Sequence, residues 1–259
     1  METATRLREA GVPPALRLRL SRAPGDVAAA QRLRHLCFIE RAGLPRRPQG
    51  LDRDRFDDIC LHLLVEDRAG RLLACCRILP LASGAALGQS YAARHYDLAP
   101  LAGCAAPMAE IGRFCLHPEA PAGDALRLAW AGIARVVDAR GVAMLFGCSS
   151  FPGADPARHG PALAFLARHH LGPAAQRPGR RGGEPVVPFR LPADGGGAPS
   201  APVLPPLLRA YLAMGGWVGD HAVRDPELDT LHVFTALPVA RIPAARARSL
   251  RRLARALEG

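Results

Sequence analysis

The sequence predicts an α+β fold, and three observations predict it. Two apolar runs, at 60–66 and 72–79, are joined by Asp67-Arg68-Ala69-Gly70, a hairpin signature with Gly at the tight position. A long helical pattern at 125–140 stops at Gly141, as a helix with a left-handed C-terminal residue does. The remaining strand-like runs alternate with helices without the regular βαβ order of a parallel sheet.

Taken in order, residues 1–25 form a basic arm broken by Pro13, Pro14 and Pro24 that leads into a first strand near 15–20. Asp26 reads as the N-cap of a helix over 27–40. A polar loop, 41–57, precedes the hairpin. A short helix is expected over 87–96 and a strand over 107–116, closed by His117-Pro118. After the 125–140 helix comes a buried strand at 142–147, then a helix capped by Asp155 that reaches about residue 170. Residues 172–206 hold nine Pro and seven Gly and are expected to be one long loop. Structure resumes with a helix at 207–214 and strands near 217–222 and 231–235. In the last segment, 241–259, six Arg stand against one Glu, and Leu250, Leu253, Ala254 and Leu257 line one helical face. The expected organisation is therefore a basic arm and first strand (1–25), a core (26–171), the Pro/Gly-rich loop (172–206), the rest of the same domain (207–240) and a basic amphipathic tail helix (241–259).

The 259 residues, 49% of them apolar, suffice for a sizeable core; with aromatics at 5%, Leu, Ala and Val must build it. The net charge is +11, and all 34 basic residues are Arg. Such a charge favours acidic partners but does not choose among nucleic acid, anionic lipid and acidic protein. The seven Cys form no C-x-x-C pair and several lie in apolar runs, which indicates reduced thiols and a cytoplasmic protein and excludes a disulfide framework or a zinc site. No signal peptide or membrane-spanning run is evident. Phosphate-loop, dinucleotide, metalloprotease and nucleophile-elbow motifs are absent. Cys148-Ser149-Ser150 reads as a strand-end turn that could alternatively hold a nucleophile. His169-His170 lacks metal spacing, and no metal site is expected.

Charges inside apolar strands carry more information. Glu110 and Arg113 interrupt the 107–116 strand, and Arg77 interrupts the hairpin's second strand. Three residues apart, Glu110 and Arg113 fall on opposite faces unless Gly112 marks a bulge. Asp54 and Asp57 are the carboxylates at hand. Two readings stay open: a structural ion network, or a polar site at the centre of the sheet.

The series Arg34-(three residues)-Phe38, Asp54-Arg55-Phe56-Asp57, Arg77-Ile78-Leu79-Pro80 and Glu110-Ile-Gly-Arg113-Phe114, in this order, resembles that of the acyl-homoserine-lactone synthases. It is more similar still to the ornithine N-alpha-acyltransferases of ornithine-lipid synthesis, through the segments 56–65, 145–151 and 205–211 and Gly215-Gly216-Trp217-Val218. The synthases' Trp between the first helix and the acidic loop is missing; this loop carries Leu44 and Leu51 instead. The resemblance implies an acetyltransferase-like (GNAT) fold with a mixed, mainly antiparallel central sheet flanked by helices. It also implies transfer of a (3-hydroxy)fatty acyl group to the alpha-amine of ornithine. The stretch after Leu116 lacks the loop with which acetyl-CoA enzymes wrap a pyrophosphate, so the expected donor is acyl carrier protein through its phosphopantetheine, with no tightly bound cofactor.

On this reading Glu110 is a general base or an anchor for the amine, and a backbone N–H near Gly112 stabilises the oxyanion. Arg77 and Arg113 orient a carboxylate. Asp54 and Asp57 hold a cationic side chain or pair with the arginines, and Arg34, Ser149 and Ser150 belong to the same substrate site. Phe38 and Phe114 line the acyl tunnel, while Trp130 belongs to the core. The tail helix is expected either to lie on the anionic inner membrane or to pack on the domain. The alternatives are a lactone-type synthase or another amine acyltransferase and, in a different class, a basic nucleic-acid-binding protein. The latter lacks a recognition motif and stacking aromatics, so no nucleic acid is expected as a partner.

Overall fold

The computed structural model describes residues 16–189 and 202–256. The Gly195-Gly196-Gly197 run, Leu257 and the arm before residue 16 lie outside the described residues. Ten strands are described: β1 (Leu16–Ser21), β2 (Leu61–Asp67), β3 (Leu72–Leu81), β4 (Tyr96–Asp97), β5 (Met108–Leu116), β6 (Met144–Pro152), β7 (Gly179–Arg180), β8 (Val186–Pro188), β9 (Trp217–Asp225) and β10 (Thr230–Pro238). Eight form one sheet in the order β1-β2-β3-β5-β6-β10-β9-β8, and β4 and β7 pair separately. The β5–β6 pair is parallel, whereas β1–β2, β2–β3, β6–β10, β9–β10 and β8–β9 are antiparallel. The expected mixed, mainly antiparallel sheet is thus observed.

The chain divides into two compact units. The first comprises the residues up to 80, 111–142 and those from 243. It contains the helices α1 (Pro24–His35), α2 (Ala122–Arg140) and, at the C-terminal end, Ala244–Ala256. The 60–79 hairpin forms as expected, with Gly70 at φ +80° and the Asp67 carboxylate accepting the N–H groups of Ala69 and Arg71. Helix α1 departs from expectation at its start. Ala23 is its N-cap with no side-chain bond, Pro24 opens the helix, and Asp26 pairs with Arg19 at 2.7 Å instead of capping. At its other end the helix widens into a π-turn, Leu36–Glu40, a feature often found at functional sites.

Helix α2 lies on β1 and β2 through Gly132, where a Cβ would come within 2.6 Å of Leu63 Cδ1 and 2.9 Å of Leu18 Cδ1. Its end at Gly141, with φ +60°, is as expected, and Trp130 is buried in the core. The C-terminal helix packs on α2, burying Leu250, Leu253 and Ala254, and Arg251 bonds Asp138 at 2.9 Å. Of the two readings for the tail, packing on the domain is therefore the observed one, because its apolar stripe is already covered.

The second unit comprises residues 81–110 and 143–242. It contains the helices α3 (Gly160–His169) and α4 (Pro206–Ala213), which cover one side of β6, β9 and β10 through Leu163, Leu166 and Leu208. Three expectations change here. The helix over 87–96 is two 3-10 turns, Gly84–Gln89 and Ala92–Arg94. The strand at 142–147 extends to Pro152, so Cys148-Ser149-Ser150 lies inside it and not in a terminal turn. The Pro/Gly-rich segment is not one loop, since it supplies β7 and β8, short pieces compatible with its Gly and Pro content.

The close approach at Gly132 predicts that Gly132→Val destabilises the protein by about 1–3 kcal/mol through overpacking against Leu18 and Leu63, read as a lower midpoint in urea unfolding.

Candidate active site

In the first unit, the acidic loop before β2 and the arginines of α1, β3 and β5 form one network. Arg34 is fully buried on α1. Its Nη1 and Nη2 donate to Asp57 Oδ1 and Oδ2 at 2.7 and 3.0 Å, a bidentate fork, and its Nε donates to Asp52 Oδ2 at 3.0 Å. Its Nη2 also bonds the Asp52 carbonyl. Arg77 from β3 pairs with Asp54 and reaches Asp57 Oδ1 at 3.2 Å. Arg113 from β5 donates to Asp52 Oδ2 at 3.2 Å and Asp54 Oδ2 at 3.4 Å. Gln31 and Arg47 complete the shell, bonding Asp57 and Asp52 at 2.9 and 2.7 Å.

The local sequence explains the convergence. Extended backbone from Leu51 to Asp54 puts residues two apart on one side, so Asp52 and Asp54 turn inward while Arg53 is exposed. A capping box then closes the turn Arg55–Asp58: the Asp54 carboxylate accepts the Phe56 N–H and the Asp57 carboxylate accepts the Asp54 N–H. Phe56 packs in the core with the Arg77 guanidinium 5.6 Å from its ring centroid.

Burial by itself pushes the Asp57 carboxyl up, but the hydrogen bonds and charges of Arg34 and Arg77 prevail and hold it well below the usual carboxylate range. Asp54 is lowered in the same way, burial being outweighed by Arg77 and Arg113. Burial lowers His62, whose Nε2 lies 3.1 Å from the Asp57 carbonyl. The network closes inward and opens at one end. The side chains of Arg34, Asp52 and Asp57 are at most 2% exposed, whereas those of Arg113 and Asp54 are 12% and 20% exposed.

Strand β5 is kinked where the sequence suggested, but by a different residue. Arg113, not Gly112, is left-handed, at φ +49°. That conformation costs a non-Gly residue about 1–3 kcal/mol and is characteristic of functional positions. Gly112 has no positive φ, and a Cβ there would meet nothing within 4 Å, so the space beside it is open.

Glu110, in the second unit, accepts the Tyr91 N–H at 2.8 Å and the Ala92 N–H at 2.7 Å, one on each carboxylate oxygen. It therefore fixes the turn that carries Tyr91 and His95, and His95 Nδ1 lies 2.9 Å from Glu184 of the Pro/Gly-rich segment. Glu110 pairs with Phe146 across the parallel ladder. Along β6, strand alternation puts Phe146, Cys148 and Ser150 on one face and Ser149 on the other. Ser149 is buried and accepts from Thr235 Oγ1 at 3.0 Å, so its place is in the core facing α3 and α4. Ser150 is exposed, opposite His232. Phe38 packs partly buried against Leu33, Leu64, Cys75 and Cys115, and Phe114 is likewise partly buried. Of the eleven residues expected at the site, Arg34, Asp54, Asp57, Arg77 and Arg113 are brought into mutual contact. Asp52, the residue sequence reasoning missed, bridges Arg34, Arg113 and Arg47; its signal was the acid–arginine alternation of 52–55.

An acetyltransferase (GNAT) domain matches residues 33–131, which span the network and β5. The L-ornithine N(alpha)-acyltransferase of Rhodobacter capsulatus is 34% identical over 236 residues, covering 87% of this chain and 90% of the relative. The Brucella abortus protein of the same name is 32% identical over 247 residues, covering 88% and 85%. The chain belongs to the L-ornithine N(alpha)-acyltransferase family. It is accordingly an acyltransferase. Among solved structures, the CoA-dependent acyl-homoserine lactone synthase MesI aligns over 92% of this chain and 94% of its own, at 12% identity and a TM-score of 0.48.

Replacing Arg34 by Met takes from the buried Asp57 its bidentate partner and from Asp52 one of its three arginines, and is expected to cost about 3 kcal/mol in urea unfolding. Because Asp54 and Asp57 titrate lower folded than unfolded, their contribution is complete above the unfolded value of about 4 and is lost as pH falls through the folded values. Stability should therefore drop on acidification below about pH 4, and the drop should shrink in Asp57→Asn. At position 113, Gly should be more stable than Ala by about 1 kcal/mol because it tolerates the positive φ. An equal stability for the two, read by urea unfolding, would remove the strain argument.

Proposed function

We propose that this chain moves a (3-hydroxy)fatty acyl group from the phosphopantetheine of acyl carrier protein to the alpha-amine of L-ornithine, releasing a lyso-ornithine lipid. The observation that carries the acceptor assignment is the charge and opening of the network. Four guanidinium groups, of Arg34, Arg47, Arg77 and Arg113, meet three carboxylates, of Asp52, Asp54 and Asp57, leaving one positive charge in excess. The open end presents Arg113 beside Asp54. That pair matches an amino acid whose carboxylate bonds the planar fork of Arg113 and whose cationic side chain approaches Asp54. Arg34, Arg77 and Asp57 act behind it as the frame.

The chemistry is aminolysis. The amine nitrogen attacks the thioester carbonyl carbon, a tetrahedral oxyanion forms, the carbon–sulfur bond breaks, and the pantetheine thiolate leaves and takes up a proton. The amine must shed a proton, and Glu110 is the assigned acceptor. Its two backbone bonds fix it, and a carboxylate has about four acceptor positions, so others remain for the amine proton. The backbone around the left-handed Arg113, beside the open space at Gly112, offers N–H groups to the oxyanion. Phe38 and Phe114 provide apolar surface for the chain. Ser149, turned into the core, is left out of this reading.

The net charge supports both an acidic donor and contact with an anionic membrane. At +11 the protein attracts an acidic carrier protein and the anionic inner face of a membrane. Among the described residues no helix is long and apolar enough to cross a bilayer. With Leu250 and Leu253 buried, the C-terminal helix offers its exposed Arg246, Arg248 and Arg252 to lipid headgroups, an electrostatic contact that requires no insertion.

The test incubates the purified protein with acyl carrier proteins and coenzyme A thioesters of matched chains and a panel of amino acids. Mass spectrometry should show N-acyl-ornithine formed fastest from the carrier protein. A lactone, or equal acylation of unrelated amines, would overturn the assignment. Glu110→Gln should lower kcat by about a hundred- to ten-thousand-fold at saturating ornithine; a near-normal rate would reduce Glu110 to an anchor.

A further inference from the structure

Three of the seven cysteines converge in the first unit, and the acyl-transfer chemistry uses none of them. Cys75 on β3 and Cys115 on β5 place their sulfurs 3.5 Å apart. Cys37, in the π-turn that extends α1, points its thiol at the same strand and donates to the Leu116 carbonyl at 3.3 Å. Cys37 packs against the cluster that holds Cys75 and Cys115, and Cys115 interacts with both other thiols. The surroundings are apolar: Ala30, Leu33 and Leu64, with Leu36 and Phe38 beside them. Access is unequal. Cys75 and Cys115 are buried, at 1% and 6% exposure, while Cys37 is partly exposed.

Their reactivity is unequal in the same sense. Interaction with Cys115 and the charge of Arg41 hold the Cys37 thiol below its ordinary value despite partial burial. Burial pushes Cys115 well above its own. The thiolate is the nucleophile of cysteine chemistry, so the exposed member is also the one inclined to react.

We propose that Cys37 and Cys115 are an oxidation site, Cys37 reacting first with a hydroperoxide and Cys115 resolving the product into a Cys37–Cys115 disulfide. In the first step the Cys37 thiolate attacks one peroxide oxygen and the O–O bond breaks. Sulfur is oxidised to the sulfenic acid and hydroxide leaves. In the second, the Cys115 sulfur attacks the Cys37 sulfur, the S–O bond breaks, and the oxygen departs as water with the thiol proton. Two thiols lose two electrons in all, and hydrogen peroxide ends as two waters. Cys75, 3.5 Å behind Cys115, lies where thiol exchange could pass the bridge inward.

The site is coupled to the reaction centre by chain proximity. Cys115 is two residues from the left-handed Arg113, Cys75 two residues from Arg77, and Cys37 adjacent to Phe38. A covalent tie between the π-turn and β5 changes the strand at the point where its conformation is already strained. Oxidation is thus expected to slow acyl transfer reversibly, an effect that rests on the proposed activity, while formation of the bridge does not.

The full-length protein is treated with graded hydrogen peroxide, quenched with a thiol-blocking reagent and digested with trypsin. Cleavage after arginine separates Cys37 (peptide 35–41), Cys75 (72–77) and Cys115 (114–127). The expected product is peptide 35–41 joined to 114–127, 2 Da lighter than the two thiol peptides, formed alongside a tenfold or greater loss of ornithine acylation that dithiothreitol restores. In Cys115→Ala, whose folding is checked by thermal melting, a sulfenic acid trapped by dimedone should accumulate on Cys37. If Cys37→Ser loses activity to peroxide as fast as wild type, or if the only bridge joins 72–77 to 114–127, Cys37 is not the entry point and the proposal fails. An enzyme that acylates no ornithine before treatment, yet forms the bridge when peroxide is added, would instead count against the proposed function.

Discussion

Arg34 is the group on which the rest of the site depends. A fully buried guanidinium is costly unless every donor direction is met, and here Asp52 and Asp57 meet them from a segment whose regular structure is limited to short 3-10 turns. The dependence runs both ways. The arginine could not stay in the core without the carboxylates, and the acidic loop could not pass this close to β3 and β5 without the arginine. Once Asp52 and Asp57 are fixed, Asp54 between them is fixed too, and the positions of Arg77 and Arg113 follow. The acidic segment is thereby held by side-chain bonds where a strand is held by its ladder.

The same network explains why β5 can hold a strained residue. Arg113 adopts a conformation that L-residues avoid, and its two carboxylate contacts, on Asp52 and Asp54, offset that cost. Its left-handed backbone breaks the alternation of the strand at that residue.

Much of this was legible in the sequence. The hairpin around Gly70, the α2 terminus at Gly141 and the grouping of Arg34, Asp54, Asp57, Arg77 and Arg113 follow from periodicity, turn chemistry and the family motif series. What was not legible has physical reasons. Asp26 looked like a cap, but Pro24 had already opened the helix and Arg19 claimed the carboxylate. Gly112 looked like the bulge because glycine is the usual choice for one; the positive φ falls on Arg113 instead. Ser149 looked like part of the site because β6 was read too short; two more turns of the pleat show its hydroxyl in the core with Thr235. Asp52 was overlooked because one aspartate in an acidic loop carries no mark of its own until an arginine 18 residues earlier is found to point at it.

The arginine bias of the composition has a further consequence. An enzyme that acylates amines works beside its own surface, and a lysine near the thioester would be a competing nucleophile. This chain has 34 cationic side chains and not one of them is an amine. A guanidinium keeps its proton throughout the physiological range and so has no free lone pair with which to attack. The protein can therefore carry a strong positive field around a reactive acyl donor and present that donor with no side-chain amine to modify except the one on its substrate.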